Sequence, residues 1–213
     1  CDPGRVVRIE GALDFDRWKK GRDRLRRELG IGADVPVAGI VARMKKGRGH
    51  ELLIAAWRRV LEILPDAVLL MVGRGELRHQ LEKKVESMGL SRSVVFCGYR
   101  QDLENVYPAF DLKVMLAPGN DGTCRAALEA MACGVPLAAA PVGALEDIVE
   151  EGKTGWLLRA QAPEELGERL AGLLRDREAL KSAGQNARRV AMERFTVERQ
   201  LERVMALYER CLA

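Results

Sequence analysis

Two carboxylates eight positions apart bracket the run Asp121-Gly-Thr-Cys-Arg-Ala-Ala-Leu-Glu129, in which a polar loop, residues 118–122, passes into a helix of small residues. Eight residues is slightly more than two turns at about 3.6 per turn, so the two carboxylates lie along one side, with Glu129 the deeper. The backbone amides of Thr123, Cys124 and Arg125 would be the unsatisfied donors of the first turn, and such donors make an anion site. A carboxylate among alanines is costly to bury unless it is paired or hydrogen-bonded. A ribose diol would satisfy Glu129 from outside, because an ionised carboxylate can accept from both hydroxyls; an arginine of the core would satisfy it from within. Asp121 also has two readings, contact with a sugar and capping of the helix. Arg125 opposes the positive end of the helix dipole, a conflict that a bound anion would relieve, which makes it a candidate phosphate clamp.

A second cationic feature lies upstream. Arg43 and Arg48 flank a glycine- and lysine-bearing loop, and guanidinium groups there could hold the oxygens of a diphosphate bidentately. The loop lacks the Gly-Lys-Ser/Thr ending of a P-loop, and Gly73-Arg-Gly75 lacks the third glycine of a dinucleotide fingerprint.

These residues need a frame that brings them together. Residues 36–42, 67–72, 94–97, 112–117, 136–140 and 155–158 are short apolar runs of the kind found in strands buried on both faces, and helical patterns separate them. The alternation predicts an α/β fold, a doubly wound six-stranded parallel sheet, followed by a helical C-terminal extension. Ligands in such folds bind beyond the carboxyl ends of the strands, where strand order reverses. Arg43 and Arg48 follow the first strand, Gly73 the second, Gly98, Tyr99 and Arg100 the third, and the 121–125 loop the fourth. Residues 5–9 read as a short strand and residues 19–29 as a charged surface helix closed by Gly30 and Gly32. From residue 163 the pattern is helical, ending in an amphipathic helix with Val197, Leu201, Val204, Met205 and Leu207.

Composition narrows the function classes. The chain has 213 residues and 47% hydrophobic content, enough for a substantial core. No apolar run approaches the roughly 18 residues that span a bilayer, and no signal peptide opens it, so the cytoplasm is the default compartment. The +4 formal charge is dispersed among acids and aromatics are 5%, which argues against nucleic-acid binding. Cysteines number five, an odd count without metal-ligand spacing, and His50 and His79 stand apart from them, so no metal site is expected. The absence of an initial methionine points to a fragment of something longer or to a processed product.

With these residues in place, the chain from Val6 onward resembles the C-terminal half of the group 1 glycosyltransferases, retaining enzymes built from two Rossmann-like domains. The most specific likeness is Asp121 to Glu129 followed by Ala-Met-Ala-Cys-Gly-Val-Pro136, which is similar to the family's Glu-x7-Glu segment and the motif after it. Arg43 with Arg48, Gly73-Arg-Gly75, Phe96-Cys-Gly98, Gly152-Lys-Thr-Gly155 and Arg194-Phe-Thr196 fall in family order. The resemblance implies a GT-B donor-binding domain for a UDP- or GDP-sugar. In it Glu129 holds the ribose, and Arg43 and Arg48 neutralise the diphosphate. The loop of Asp121, Gly122, Thr123, Cys124 and Arg125 approaches sugar and phosphates, while main chain around Gly98, Tyr99 and Arg100 meets the base. Arginine, lysine and helix amides take the place of a metal. Three departures stand out: Asp121 replaces glutamate, Arg48 replaces lysine, and Thr123-Cys124-Arg125 replaces a Phe-Gly-Leu-like sequence.

The same resemblance divides the chain into a leading, linker-like segment with a surface helix (1–34), the nucleotide-sugar-binding domain (35–195) and a helix that crosses to a missing N-terminal acceptor-binding domain (196–213). It implies sugar transfer in cell-surface polysaccharide, lipopolysaccharide or glycolipid synthesis, with peripheral association of the whole enzyme at the inner membrane face and an inactive isolated fragment. Two rivals remain: a nucleotide-binding regulatory domain that has kept the fold without the chemistry, favoured by Asp121 and the altered loop, and a nicotinamide or flavin enzyme, disfavoured by the missing glycine.

Overall fold

The structure, a computed structural model, describes residues 7, 9–18, 23–117, 124–160 and 162–212. Among them, β1 (Val37–Val41), β2 (Val68–Val72), β3 (Val94–Gly98), β4 (Leu112–Met115), β5 (Leu137–Ala139) and β6 (Gly155–Leu157) form one sheet. Its order is β3-β2-β1-β4-β5-β6, and every pairing is parallel. All six strands occupy the apolar runs, and the doubly wound architecture is as expected. Strand order reverses between β1 and β4, where Gly39 pairs with Lys113, so the predicted crevice lies beyond the carboxyl ends of these two strands.

Successive side chains of a strand face opposite sides, so each strand feeds two cores. On one face Ile40, Leu69, Leu112 and Val114 pack with α2 (His50–Ile63), α3 (Arg78–Ser87) and α7 (Pro163–Arg175). On the other, Val37, Leu70 and Met115 pack with α1 (Asp23–Glu28), α4 (Leu103–Val106), α5 (Arg125–Ala132), α6 (Leu145–Ile148) and the end of α8 (Arg177–Arg194). On α2, Leu53, Ile54, Ala56, Trp57 and Val60 are buried, whereas Leu52 and Leu61 are half-buried.

The leading segment is more than a linker. Leu13 and Trp18 are in the core, Leu13 N–H donates to Phe195 O, and Glu10 pairs with Arg194 and Arg203. The strand expected over residues 5–9 lies largely outside the described residues, as does the start of the expected helix over 19–29.

What is described of that helix corrects its surface placement. Arg24, Arg27 and Glu28 are exposed, but Leu25 is fully buried and Arg26 is only 4% exposed. Arg26 donates to Ala109 O at 2.9 Å, to Gly32, Ala33 and Val35 carbonyls at 3.0–3.3 Å, and to Asp111 at 2.8 Å. Asp111 also accepts from Val37 N–H, so one guanidinium holds α1 and the starts of β1 and β4 together. Arg26→Ala is expected to lower unfolding free energy by about 3 kcal/mol or more in urea titration, the size typical of breaking a buried pair. Arg26→Lys should recover little of it, because an ammonium cannot reproduce the planar fork.

The last helix, α9 (Val197–Leu212), has no buried residue. Val197, Leu201, Met205, Tyr208 and Leu212 are exposed along it, and its ties to the body are polar, with Gln200 and Arg203 both reaching Glu10. No helix among the described residues is long and apolar enough to cross a membrane.

Candidate functional site

Glu129 lies in the middle of α5 and is 7% exposed, as its alanine neighbourhood predicts. Both its oxygens are engaged: Oε2 accepts from the Tyr107 hydroxyl at 2.9 Å, and Oε1 accepts from Arg125 Nε at 3.1 Å. The internal alternative is therefore realised, but not by a core arginine. Arg125 is one turn earlier on the same helix, and 63% of its side chain is exposed. That ion pair is weak by position. A cation in the first turn opposes the helix dipole, and the Arg-then-Glu order at i,i+4 is the poorer one.

Tyr107 is held in a 3-10 turn, Tyr107–Ala109, between α4 and β4. It is fully buried against Trp18 and Phe110. Burial, with the Glu129 charge beside it, pushes its hydroxyl well above the usual phenol range, so it remains a hydrogen-bond donor.

The first turn of α5 has a particular backbone. Cys124, its N-cap, is buried at φ 51°, the one described non-glycine residue at positive φ, and makes no side-chain cap bond. The resemblance implies glycine at this position. Ala127 N–H already bonds Cys124 O at 2.6 Å, which leaves the amides of Arg125 and Ala126 as the helix's open donors. Asp121, Gly122 and Thr123 lie outside the described residues.

The loops after the first three strands are tied to one another. Ala42 N–H donates to Val72 O, Met44 N–H to Arg74 O and Gly73 N–H to Gly98 O, at 2.8–3.0 Å. Arg43 is exposed at this rim and Arg48 is half-buried. Gly49, at φ 80°, caps α2 and lies against Leu116 at the end of β4, so α2 opens at the crevice. Tyr99 is 58% exposed under the Arg74 guanidinium, 4.7 Å from the ring centroid. The Arg100 side chain is consumed within the chain, bonded bidentately to both Glu28 and Asp102, which hold its charged form well above the ordinary arginine value.

Three groups escaped the sequence reading: Tyr107, Lys113 and His50. Lys113 is fully buried in β4, and desolvation drives it down to about 7, resisted by the attraction of Glu129. A lysine inside a strand read as apolar on both faces was the available signal. His50 is 2% exposed and neither ring nitrogen has a hydrogen-bond partner. Burial, then the charges of Lys113 and Arg48, hold it down to about 4, so it is neutral at physiological pH.

Among the described residues no group of three or more His, Cys, Asp or Glu side chains could hold a metal ion, and Cys97, Cys124, Cys133 and Cys211 are free. A cavity of about 580 Å³ lined by Pro36, Pro108, Asp111, Val135 and Arg177 includes none of the predicted site residues.

The profile of the family described as "Glycosyl transferases group 1" matches residues 21–190. A D-inositol 3-phosphate glycosyltransferase of Corynebacterium jeikeium is 33% identical over 94% of this chain and 51% of its own length. The lipopolysaccharide core biosynthesis mannosyltransferase LpsB of Rhizobium meliloti is 28% identical over 98% and 61%. Among solved structures, Alr3699/HepE of Anabaena in complex with UDP-glucose superposes with a TM-score of 0.82 at 26% identity, over 95% of this chain and 57% of that one. The chain spans about half the length of the curated relatives it matches.

Proposed function

Because the chain belongs to the group 1 glycosyl transferases and corresponds to the C-terminal half of its relatives, we propose that it is the donor-binding half of a retaining glycosyltransferase that uses a nucleotide-diphosphate sugar. The observation that carries this reading is Glu129: a buried carboxylate on the helix beside the strand-order reversal, whose outer oxygen is bonded, among the described residues, by the exposed Arg125. A ribose hydroxyl replaces Arg125 at that oxygen, and Arg125 turns toward the diphosphate. Arg43 and Arg48 neutralise the diphosphate with the α5 amides, without a metal ion, and stabilise it as it leaves. Asp121, Gly122, Thr123 and Cys124 approach the sugar, and the backbone of Gly98, Tyr99 and Arg100 meets the base, with Gly73 behind them.

The apolar stripe of α9 faces the acceptor-binding half, and the isolated chain binds donor weakly and transfers nothing. Synthesis of a cell-surface polysaccharide, lipopolysaccharide or glycolipid is the setting proposed for it, a reading supported by the likeness to the LpsB mannosyltransferase.

A thermal-shift screen of UDP, GDP, ADP and NAD tests the reading. A nucleoside diphosphate at a hundred times its dissociation constant stabilises by about 2.7 kcal/mol; stabilisation by NAD alone would favour a nicotinamide enzyme, and none at all would defeat donor binding. In calorimetry, Arg125→Ala is expected to bind the stabilising diphosphate about tenfold more weakly, the loss of one charge-assisted contact. Unchanged affinity would remove Arg125 from the clamp. Sugar transfer by the chain alone would contradict its inactivity.

A further inference from the structure

We infer that Lys113 is a positioning residue for donor binding: it is the buried counter-charge that remains with Glu129 when Arg125 leaves. The inference rests on the donor-binding reading and extends it to a residue that touches no ligand.

Lys113 shares its face of β4 with Met115, which packs in the core that contains α5. It is fully buried, and among the described residues its ammonium reaches one carbonyl, Val114 O, at a long 3.4 Å. A lysine with so poor a set of partners is a cost to the fold that an apolar residue of equal volume would not carry. Glu129 is the group that favours its charge. Of the two cations acting on Glu129, Arg125 is exposed and weakly held, whereas Lys113 cannot leave. When a ribose takes the outer oxygen, Glu129 keeps Tyr107 and loses its ion pair with Arg125. A buried carboxylate without a counter-charge is strongly unfavourable, so the bound state needs Lys113 protonated more than the free state does.

Burial lowers Lys113 from the ordinary lysine value to about 7, against the attraction of Glu129. Binding must then raise its proton affinity, and linkage makes proton and ligand favour each other equally. The neighbouring groups do not compete in this window. His50, at the start of α2 and within reach of the Lys113 charge, is held down to about 4. Cys133, at the end of α5, is pushed up to about 12 by burial, and Tyr107 is raised well above 10.

Calorimetry of the 213-residue chain with UDP-glucose and GDP-mannose, at pH 8 in buffers of different ionisation enthalpy, reads this coupling directly. The parent is expected to take up protons on binding and to bind about fivefold to tenfold more tightly at pH 6.5 than at pH 8.5. Lys113→Met should bind more weakly than the parent at pH 6.5, take up no protons at pH 8, and melt at a higher temperature than the parent. A lysine that merely stabilises the fold predicts a lower melting temperature; one that is merely tolerated predicts higher melting with unchanged affinity, and either result overturns the inference. Absence of proton uptake by the parent does so as well. Glu129→Gln separates the two levels: if it binds as the parent does, or if the parent binds neither nucleotide sugar, the donor-site reading itself fails. Weakened binding in Glu129→Gln beside parent-like binding in Lys113→Met leaves that reading standing and removes only the role of Lys113.

Discussion

Glu129→Gln is expected to weaken nucleoside diphosphate binding about a hundredfold and to remove the thermal stabilisation that the ligand confers on the parent. A carboxylate accepts from both hydroxyls of a vicinal diol, while an amide offers one acceptor and one donor group. Hydrogen bonds to a charged group contribute about 1.5–3 kcal/mol each, so losing the charge and one acceptor removes roughly 3 kcal/mol. Glutamine is the informative substitution because it can keep the Tyr107 bond at the inner oxygen position. Glu129→Ala would leave the buried Tyr107 hydroxyl without its acceptor and so lower the stability of the free chain. Calorimetry with UDP and GDP, together with the melting temperature of the unliganded variant, checks the expectation. A variant that melts like the parent and binds either diphosphate like the parent would show that Glu129 serves only the fold.

Gly73→Ala is expected to destabilise the chain by about 3 kcal/mol or more, through overpacking and backbone strain together. Gly73 adopts φ 142°, and a Cβ there would stand 2.1 Å from Ala42 O. That contact is with backbone, so relief requires the loop after β1 to move, and Arg43 is the next residue of that loop. The substitution should therefore weaken diphosphate binding as well as stability. Two companions separate the causes. A Cβ at Gly75 would meet Met44 O at 2.1 Å without a positive φ, whereas one at Gly47, φ 79°, would meet nothing within 4 Å. Gly75→Ala should thus approach the cost of Gly73→Ala, and Gly47→Ala should cost only the left-handed backbone term, about 1–2 kcal/mol. If all three melted alike, the close approach of these two loops would have no energetic weight. The pair of glycines that looked like an incomplete dinucleotide fingerprint is explained by loop packing.

How far the site was legible follows from the range of the interactions. The apolar runs that became β1 to β6 are local patterns, and a parallel sheet buried on both faces leaves little freedom in where they start and stop. Glu129 was visible for the same reason, as a carboxylate in a stretch whose neighbours are all small or apolar. Arg26 was not. Its local context, Asp23-Arg-Leu-Arg-Arg-Glu28, reads as a solvated helix, and only the approach of Ala109 and Asp111, 83 and 85 residues later, turns it inward. The position of Arg100 just after β3 is legible locally, but its side chain is committed to Glu28, 72 residues earlier. Cys124 shows the reverse: its left-handed conformation is local, yet nothing in its residue type announces it.

From the sequence alone came the order of the elements, the parallel sheet and the placement of Arg43, Gly73, Gly98 and Glu129 just beyond or beside strand ends, because periodicity and chain direction are properties of short stretches. The tertiary structure decided which partner satisfies each buried polar group: Tyr107 and Arg125 for Glu129, Asp111 for Arg26, and Glu129 at a distance for Lys113. The reason is physical. Desolvation makes an unpaired charge intolerable, but which charges are desolvated, and which neighbours can reach them, is settled only when distant segments pack.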